Sequence, residues 1–194
     1  WLEANLSELM THYANRIRII GGKYKRKSIS VLTSQKLRPT IARTRETLFN
    51  WLGPYIEGSK CLDLFAGSGI LSFESLSRGA AWTTMVDNNK QICDNLRKHA
   101  VDMKLSSTEV IWSDSLEWLK AADNKNYDLI FLDPPFGTRL VEESLGILKR
   151  YGLKKDVLIY IESKDKVNAL NSDLEMVKSS KTKTYYYGLF SLSR

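Results

Sequence analysis

The sequence predicts an α/β fold, a doubly wound, seven-stranded, mostly parallel sheet preceded by a β-hairpin and a helix. Three observations carry this. From Lys60 onward, short apolar runs alternate with helically periodic stretches, the pattern of βα units that bury a parallel sheet between two helical layers. Four of those runs lead into an acid or a Gly/Pro turn, at Asp63, Asp87, Asp114 and Asp133-Pro134-Pro135-Phe136. The last stretch, Leu174 to Leu192, alternates with period two and has no helical segment, as a closing antiparallel hairpin does.

A chain of 194 residues fits one domain with a small appendage, and 43% hydrophobic residues supply a core. No apolar run reaches the length of a membrane span. Residues 1–15 open on Trp1 rather than Met and are set apart as an N-terminal extension that need not be native throughout.

Arg16 to Ile20 reads as a strand, Gly21-Gly22 as a turn, Lys23 to Lys27 as a basic rim, and Ser28 to Leu32 as a second strand. Such a hairpin is too small to stand alone and should lean on the main domain. Thr40 is a plausible N-cap for a helix from Ile41 to Leu52, with Ile41, Leu48, Phe49 and Leu52 near one face and Gly53-Pro54 as its stop. These elements define an appendage over 16–54 and a main domain over 55–194.

In the main domain, strands are expected at Cys61–Phe65, Trp82–Val86, Glu109–Trp112, Tyr127–Leu132 and Val157–Glu162. Helices are expected at Ile70–Arg78, Asn89–Val101, Leu116–Ala122, Arg139–Arg150 and Lys164–Leu170. Trp51, Trp112, Trp118 and Tyr185-Tyr186-Tyr187 are assigned to core packing.

The net charge of +7 is unevenly spread. Residues 16–45 hold ten Lys or Arg and no acid, so the remainder carries −3. A polyanion, most simply nucleic acid, explains that asymmetry. Arg16, Arg18, Lys23, Lys25, Arg26, Lys27, Arg38, Arg43 and Arg45 are therefore candidate phosphate contacts. Glu46 is read as an ion-pair partner of Arg43. Cys61 and Cys93, in a strand-like and a helical run, are read as buried free thiols in a reducing cytoplasm. His12 and His99 lie far apart and no Cys/His cluster has ligand spacing, so no metal is expected.

Two prolines cannot extend a strand, since neither carries a backbone N–H. The chain must leave the sheet at Pro134-Pro135, at a strand's carboxyl end, where open α/β sheets bind ligands. There Asp133 and the Pro134 carbonyl can accept hydrogen bonds from an exocyclic amine, and Phe136 can stack on its ring. The turn Ala66-Gly67-Ser68-Gly69 lets backbone approach a ligand closely, ahead of the free N–H groups of the helix opening at Ile70. A dinucleotide pyrophosphate would want a third small residue where Ser72 stands, and would be poorly served by Asp63. S-adenosylmethionine is a cation without phosphate and suits that acid, with Phe65 beside it. Asp87, with Asn88, can accept both ribose hydroxyls, and Asp114 and Ser115 can meet the adenine, unless Asp114 only caps its helix.

With these residues placed, the chain resembles the class I S-adenosylmethionine-dependent methyltransferases, which are Rossmann-like. Asp133-Pro134-Pro135-Phe136 resembles the signature of those that methylate base amines. Arg18-Ile19-Ile20-Gly21-Gly22, Leu37-Arg38-Pro39-Thr40, Arg43 to Leu52, Asp63 to Gly69 and Asp133 to Phe136 occur in the order found in the RsmD family. That resemblance implies methyl transfer to guanine N2 of bacterial 16S ribosomal RNA, free or in a small-subunit assembly intermediate, by a cytoplasmic protein expected to be a monomer. One departure is Val86-Asp87-Asn88-Asn89, in place of the more usual Glu-x-Asp-type ending. The alternatives are a DNA adenine-N6 or cytosine-N4 methyltransferase, a non-catalytic RNA-binding module, and a nicotinamide-dependent oxidoreductase.

Overall fold

The computed structural model describes residues 13–32, 42–122, 126–166 and 174–192. Strands β1 (Tyr13–Arg18) and β2 (Ser28–Leu32) form a separate antiparallel pair. Helix α1 (Ala42–Ile56) follows. The main sheet then alternates β3 (Lys60–Asp63), α2 (Ile70–Ser77), β4 (Trp82–Asp87), α3 (Lys90–Asp102), β5 (Thr108–Trp112), α4 (Ser115–Ala121), β6 (Leu129–Leu132), α5 (Leu140–Tyr151) and β7 (Leu158–Ser163). Strands β8 (Leu174–Lys181) and β9 (Tyr186–Leu192) close it.

The sheet order is β5-β4-β3-β6-β7-β9-β8. All pairings from β5 through β7 are parallel, whereas β9 runs antiparallel between β7 and β8. Strand order reverses between β3 and β6, so a crevice opens there at the carboxyl ends. One face packs Leu48, Phe49 and Leu52 of α1, Leu71 and Phe73 of α2 and Leu96 of α3 against Met85, Phe131, Tyr160 and Leu189. The other packs Leu119 of α4 and Val141, Leu145 and Leu148 of α5 against Leu64, Ile130, Leu132 and Ile159. The predicted seven-stranded, doubly wound sheet is therefore the observed one.

Local differences have physical reasons. Strand β3 stops at Asp63, because Leu64 and Phe65 already turn toward the glycine loop. Helix α1 does not stop at Gly53-Pro54 but continues to Ile56, which is buried. A glycine before proline lacks the Cβ that would clash with the proline ring in a helix, and burial of Ile56 holds the last turn.

Gly21-Gly22 is not a two-residue hairpin turn. The ladder extends through Ile19 N–H to Lys27 O and Arg26 N–H to Ile19 O, and the glycines lie against α2. A Cβ on Gly22 would sit 1.7 Å from Ser77 O. Both this close approach and a backbone φ of 75° require glycine there.

Trp112 is 57% exposed, not in the core, because β5 is an edge strand. Trp51 stacks on Tyr187 at 5.5 Å and Trp118 packs on the α4–α5 face, as expected of core residues. Residues 164–166 are not helical, and the rest of the helix expected over 164–170 lies outside the described residues. The same holds for Arg38, Thr40 and Ile41. Cys61 and Cys93 are free and buried. Among the described residues, no helix is long and apolar enough to cross a membrane.

Candidate active site

Strands β3 and β6 are neighbours in parallel register, with Asp63 opposite Phe131. The glycine loop and the proline turn therefore leave the same edge of the sheet side by side. Asp63 is 2% exposed and accepts a hydrogen bond from Ser72 Oγ at 2.9 Å. Burial, with the nearby charges of Asp133 and Asp87, pushes its pKa up to about 7. A carboxyl so poised ionises readily when a cation enters.

The loop after β3 is pinned by its own backbone. Ala66 N–H donates to Val86 O and Gly69 N–H to Ala66 O. Ile70 N–H donates to Ser68 Oγ at 3.3 Å. Gly69 sits at φ 74° as the N-cap of α2. A Cβ there would lie 2.5 Å from Leu96 Cδ2, so glycine alone fits. Phe65 is half-buried on the α4–α5 face, and Ala66 is buried.

Asp87 ends β4 half-buried, and its carboxylate accepts from Gly67 N–H at 3.0 Å and Asn89 N–H at 2.9 Å. Burial raises its pKa, partly offset by these bonds. It thus joins the second strand end to the glycine loop. Asn88 is exposed, and its carbonyl accepts from Trp112 Nε1. Asp114 does cap α4, accepting from Leu116 and Glu117 N–H at 3.0 Å each. Ser115 is buried, and its hydroxyl donates to Leu64 O at 2.6 Å. That bond ties α4 to the carboxyl end of β3.

At the proline turn, Asp133 and Phe136 are half-buried, Pro134 is buried and Pro135 is exposed. Pro135 O accepts from Thr138 Oγ1, which closes the turn. Asp133 lies close enough to Asp63, Tyr160 and Tyr185 for its charge to raise the pKa of each. The Phe136 ring meets Tyr185 at 5.8 Å and has Lys164 Nζ 6.0 Å from its centroid. Tyr185 Oη bonds Thr44 Oγ1 of α1 at 3.0 Å. Helix α1 thus reaches the Phe136 ring through one tyrosine.

Of the basic set, Arg16, Arg18, Lys23, Lys25, Arg26, Lys27 and Arg43 are exposed. Arg45 is not a surface residue. It is 3% exposed, donates from Nη1 to Arg18 O and stands 3.9 Å from Glu74. It is also α1's arginine that meets an acid, so the expected Arg43–Glu46 pair is replaced by Arg45–Glu74.

Glu74 is one residue that sequence reasoning missed. Wholly buried on α2, it accepts Ile20 N–H and Gly21 N–H at 2.8 Å each and Arg78 Nε at 2.8 Å. Ser77 adds a bond to Gly21 O and one from Tyr24 N–H. On the other side of the hairpin, Asn95 Nδ2 and His99 Nε2 of α3 meet Ser30. A lone acid in the otherwise uncharged run Ile70–Ser77 was the available signal. Glu162 was missed as well, although it is an acid at a strand's carboxyl end, like Asp63. Among the described residues, no group of three or more His, Cys, Asp or Glu could hold a metal ion.

This geometry has known relatives. The family model described as Conserved hypothetical protein 95 matches residues 17–191. Ribosomal RNA small subunit methyltransferase D of Haemophilus influenzae is 42% identical over 179 residues, 90% of this chain and 93% of that protein. The Escherichia coli protein of the same name is 41% identical over 151 residues, 77% of this chain and 76% of that one. Among solved structures, yhhF from Escherichia coli has a TM-score of 0.83 at 35% identity, covering 92% of this chain and 99% of the other. With a family match over nearly its whole length and relatives above 40% identity, the chain belongs to the RsmD family, that of the small-subunit ribosomal RNA methyltransferases D.

Proposed function

We propose that the protein transfers a methyl group from S-adenosylmethionine to the exocyclic N2 of a guanine in 16S ribosomal RNA. The observation that carries this reading is the switch point. There the acid-flanked glycine loop after β3 and the Asp133–Phe136 turn after β6 emerge side by side. Asp63, Gly67, Ser68, Gly69 and Asp87 would hold the methyl donor, with Asn88 and Asp114 along its adenosine. When bound, that group supplies the electrophilic methyl on a sulfonium.

Guanine N2 is a weak nucleophile because its lone pair is delocalised into the ring. Asp133 and the Pro134 carbonyl accept the amine hydrogens and turn the lone pair toward the methyl. Phe136 stacks on the base, contributing about 1–3 kcal/mol of binding. As N2 takes up the methyl group that the sulfonium would supply, the amine becomes cationic. Acceptors fixed there stabilise that charge more in the transition state than in the ground state. Asp133 would receive the departing proton. Alignment contributes on the order of 7–11 kcal/mol.

The exposed cations of the hairpin and Arg43 would grip RNA phosphates, on free RNA or a small-subunit assembly intermediate. The appendage over 16–54 acts as the RNA-binding part and 55–194 as the catalytic part. Two buried free thiols suit a cytoplasmic protein.

The test is incorporation of labelled methyl from S-adenosylmethionine into small-subunit ribosomal RNA or assembly intermediates, against DNA as control, followed by mass mapping of the modified nucleoside. N2-methylguanosine is expected. Methyl groups on DNA adenine or cytosine alone would overturn the reading. Asp133→Asn is expected to lower kcat by about 100-fold at saturating donor. Full turnover in that variant would remove Asp133 as proton acceptor.

A further inference from the structure

We propose that Glu162 selects guanine, by accepting the N1–H that lies beside the amine held at Asp133. This rests on the guanine-methylating reading above and names the residue that would enforce it.

Strands β6 and β7 are parallel neighbours, with Phe131 opposite Tyr160 and Leu132 opposite Ile161. The next residues along each are Asp133 and Glu162. Two carboxyl-bearing residues thus end adjacent strands, whose backbones are spaced about 4.8 Å apart. Glu162 is 3% exposed. Tyr160, fully buried, donates its hydroxyl to Glu162 Oε1 at 2.6 Å. Burial and the Glu162 charge keep that phenol protonated, so it remains a donor. The tyrosine fixes one carboxylate oxygen, and a carboxylate offers about four lone-pair sites in all. Tyr185 lies within reach of the charges of both Asp133 and Glu162, and it also touches Phe136. By that register both acids stand at the sheet edge from which the Asp133–Phe136 turn leaves.

The chemistry of base edges favours one occupant. Guanine presents two adjacent donors, N1–H and the N2 amine. Adenine and cytosine place an unprotonated ring nitrogen beside their amine. A pair of carboxylates complements the first arrangement and repels the other two. Selectivity then arises from the penalty on the wrong base as much as from attraction to the right one. Methyltransferases acting on adenine or cytosine amines could share the proline turn, but they would gain nothing from a carboxylate at this position.

The test uses an RNA spanning the nucleotide mapped above, synthesised with guanine or with 2-aminopurine at the target. 2-Aminopurine keeps the amine but has an unprotonated N1. The wild-type protein is expected to prefer guanine by about 100-fold in kcat/KM. Glu162→Gln, whose amide can face either ring nitrogen, is expected to shrink that ratio below about tenfold. Its affinity for S-adenosylmethionine, measured by calorimetry, should stay unchanged. Equal use of both RNAs by the wild-type protein would overturn the proposal, and so would an equal loss on both RNAs in Glu162→Gln. If that variant fails to fold, the wild-type ratio still decides. Absence of transfer to guanine by the wild-type protein would overturn the guanine reading and this proposal with it.

Discussion

Glu74→Gln should loosen the basic hairpin from the body of the protein. The carboxylate is wholly buried and accepts from Ile20 N–H, Gly21 N–H and Arg78 Nε, with Arg45 Nη1 at 3.9 Å. Glutamine supplies a single acceptor oxygen and turns an NH2 toward donors. At least one buried N–H loses its partner, and two guanidinium groups lose their counter-charge. Breaking a buried charge pair costs about 3–5 kcal/mol. The Arg78 side chain is 21% exposed and can rehydrate, which places the cost near 3 kcal/mol. Unfolding entropy of about 2.1 cal/mol/K per residue converts this to a fall of about 7 °C in Tm for a chain of this size. Calorimetry reads the melting point, and hydrogen exchange reads the amides of Ile19 and Arg26, whose ladder bonds depend on the docked hairpin. RNA affinity should fall while S-adenosylmethionine affinity holds. A melting point lowered by less than about 2 °C, with those amides still protected, would refute the anchoring argument.

Three further outcomes are expected. Asp63 has its pKa raised to about 7, so a bound cation must draw off its proton, and donor affinity should rise about tenfold from pH 6 to pH 8. Calorimetry in buffers of different ionisation enthalpy should show proton release near pH 6, absent in Asp63→Asn. Without ligand, the same raised pKa means that this group's contribution to stability is complete below the usual aspartate range and is lost as pH climbs through about 7. His99 is shifted the opposite way: burial lowers its pKa, and it meets Ser30 as neutral imidazole. Its contribution is therefore complete above about 6.5 and declines as pH falls, so hairpin exchange should quicken in acid and stop responding to pH in His99→Gln. RNA binding should weaken steeply with salt, and Lys25→Ala with Arg26→Ala should reduce the log–log slope by about 1.4–1.8. An unchanged slope would place the footprint elsewhere.

Much of the carboxyl-end edge of the sheet was legible because its signals are local. Acids and glycines after apolar runs, and prolines that cannot pair, mark strand ends without any knowledge of their neighbours. The same locality explains the errors. Arg45 and Arg43 look alike in sequence, yet only the packing of α1 on α2 decides which is buried. Gly21-Gly22 reads as a turn, and the contact with Ser77, more than fifty residues away, adds a constraint to the positive φ of Gly22.

The sequence by itself determined the alternation of strands and helices, the residues at each strand end and the concentration of positive charge in one segment, since each follows from the chemistry of near neighbours. Only the tertiary structure decided which strand ends share an edge, that Glu74 locks the basic hairpin to α2, and that Glu162 stands next to Asp133. Those depend on strand order and on contacts between distant residues, where burial turns an ordinary carboxylate into an anchor or a reader.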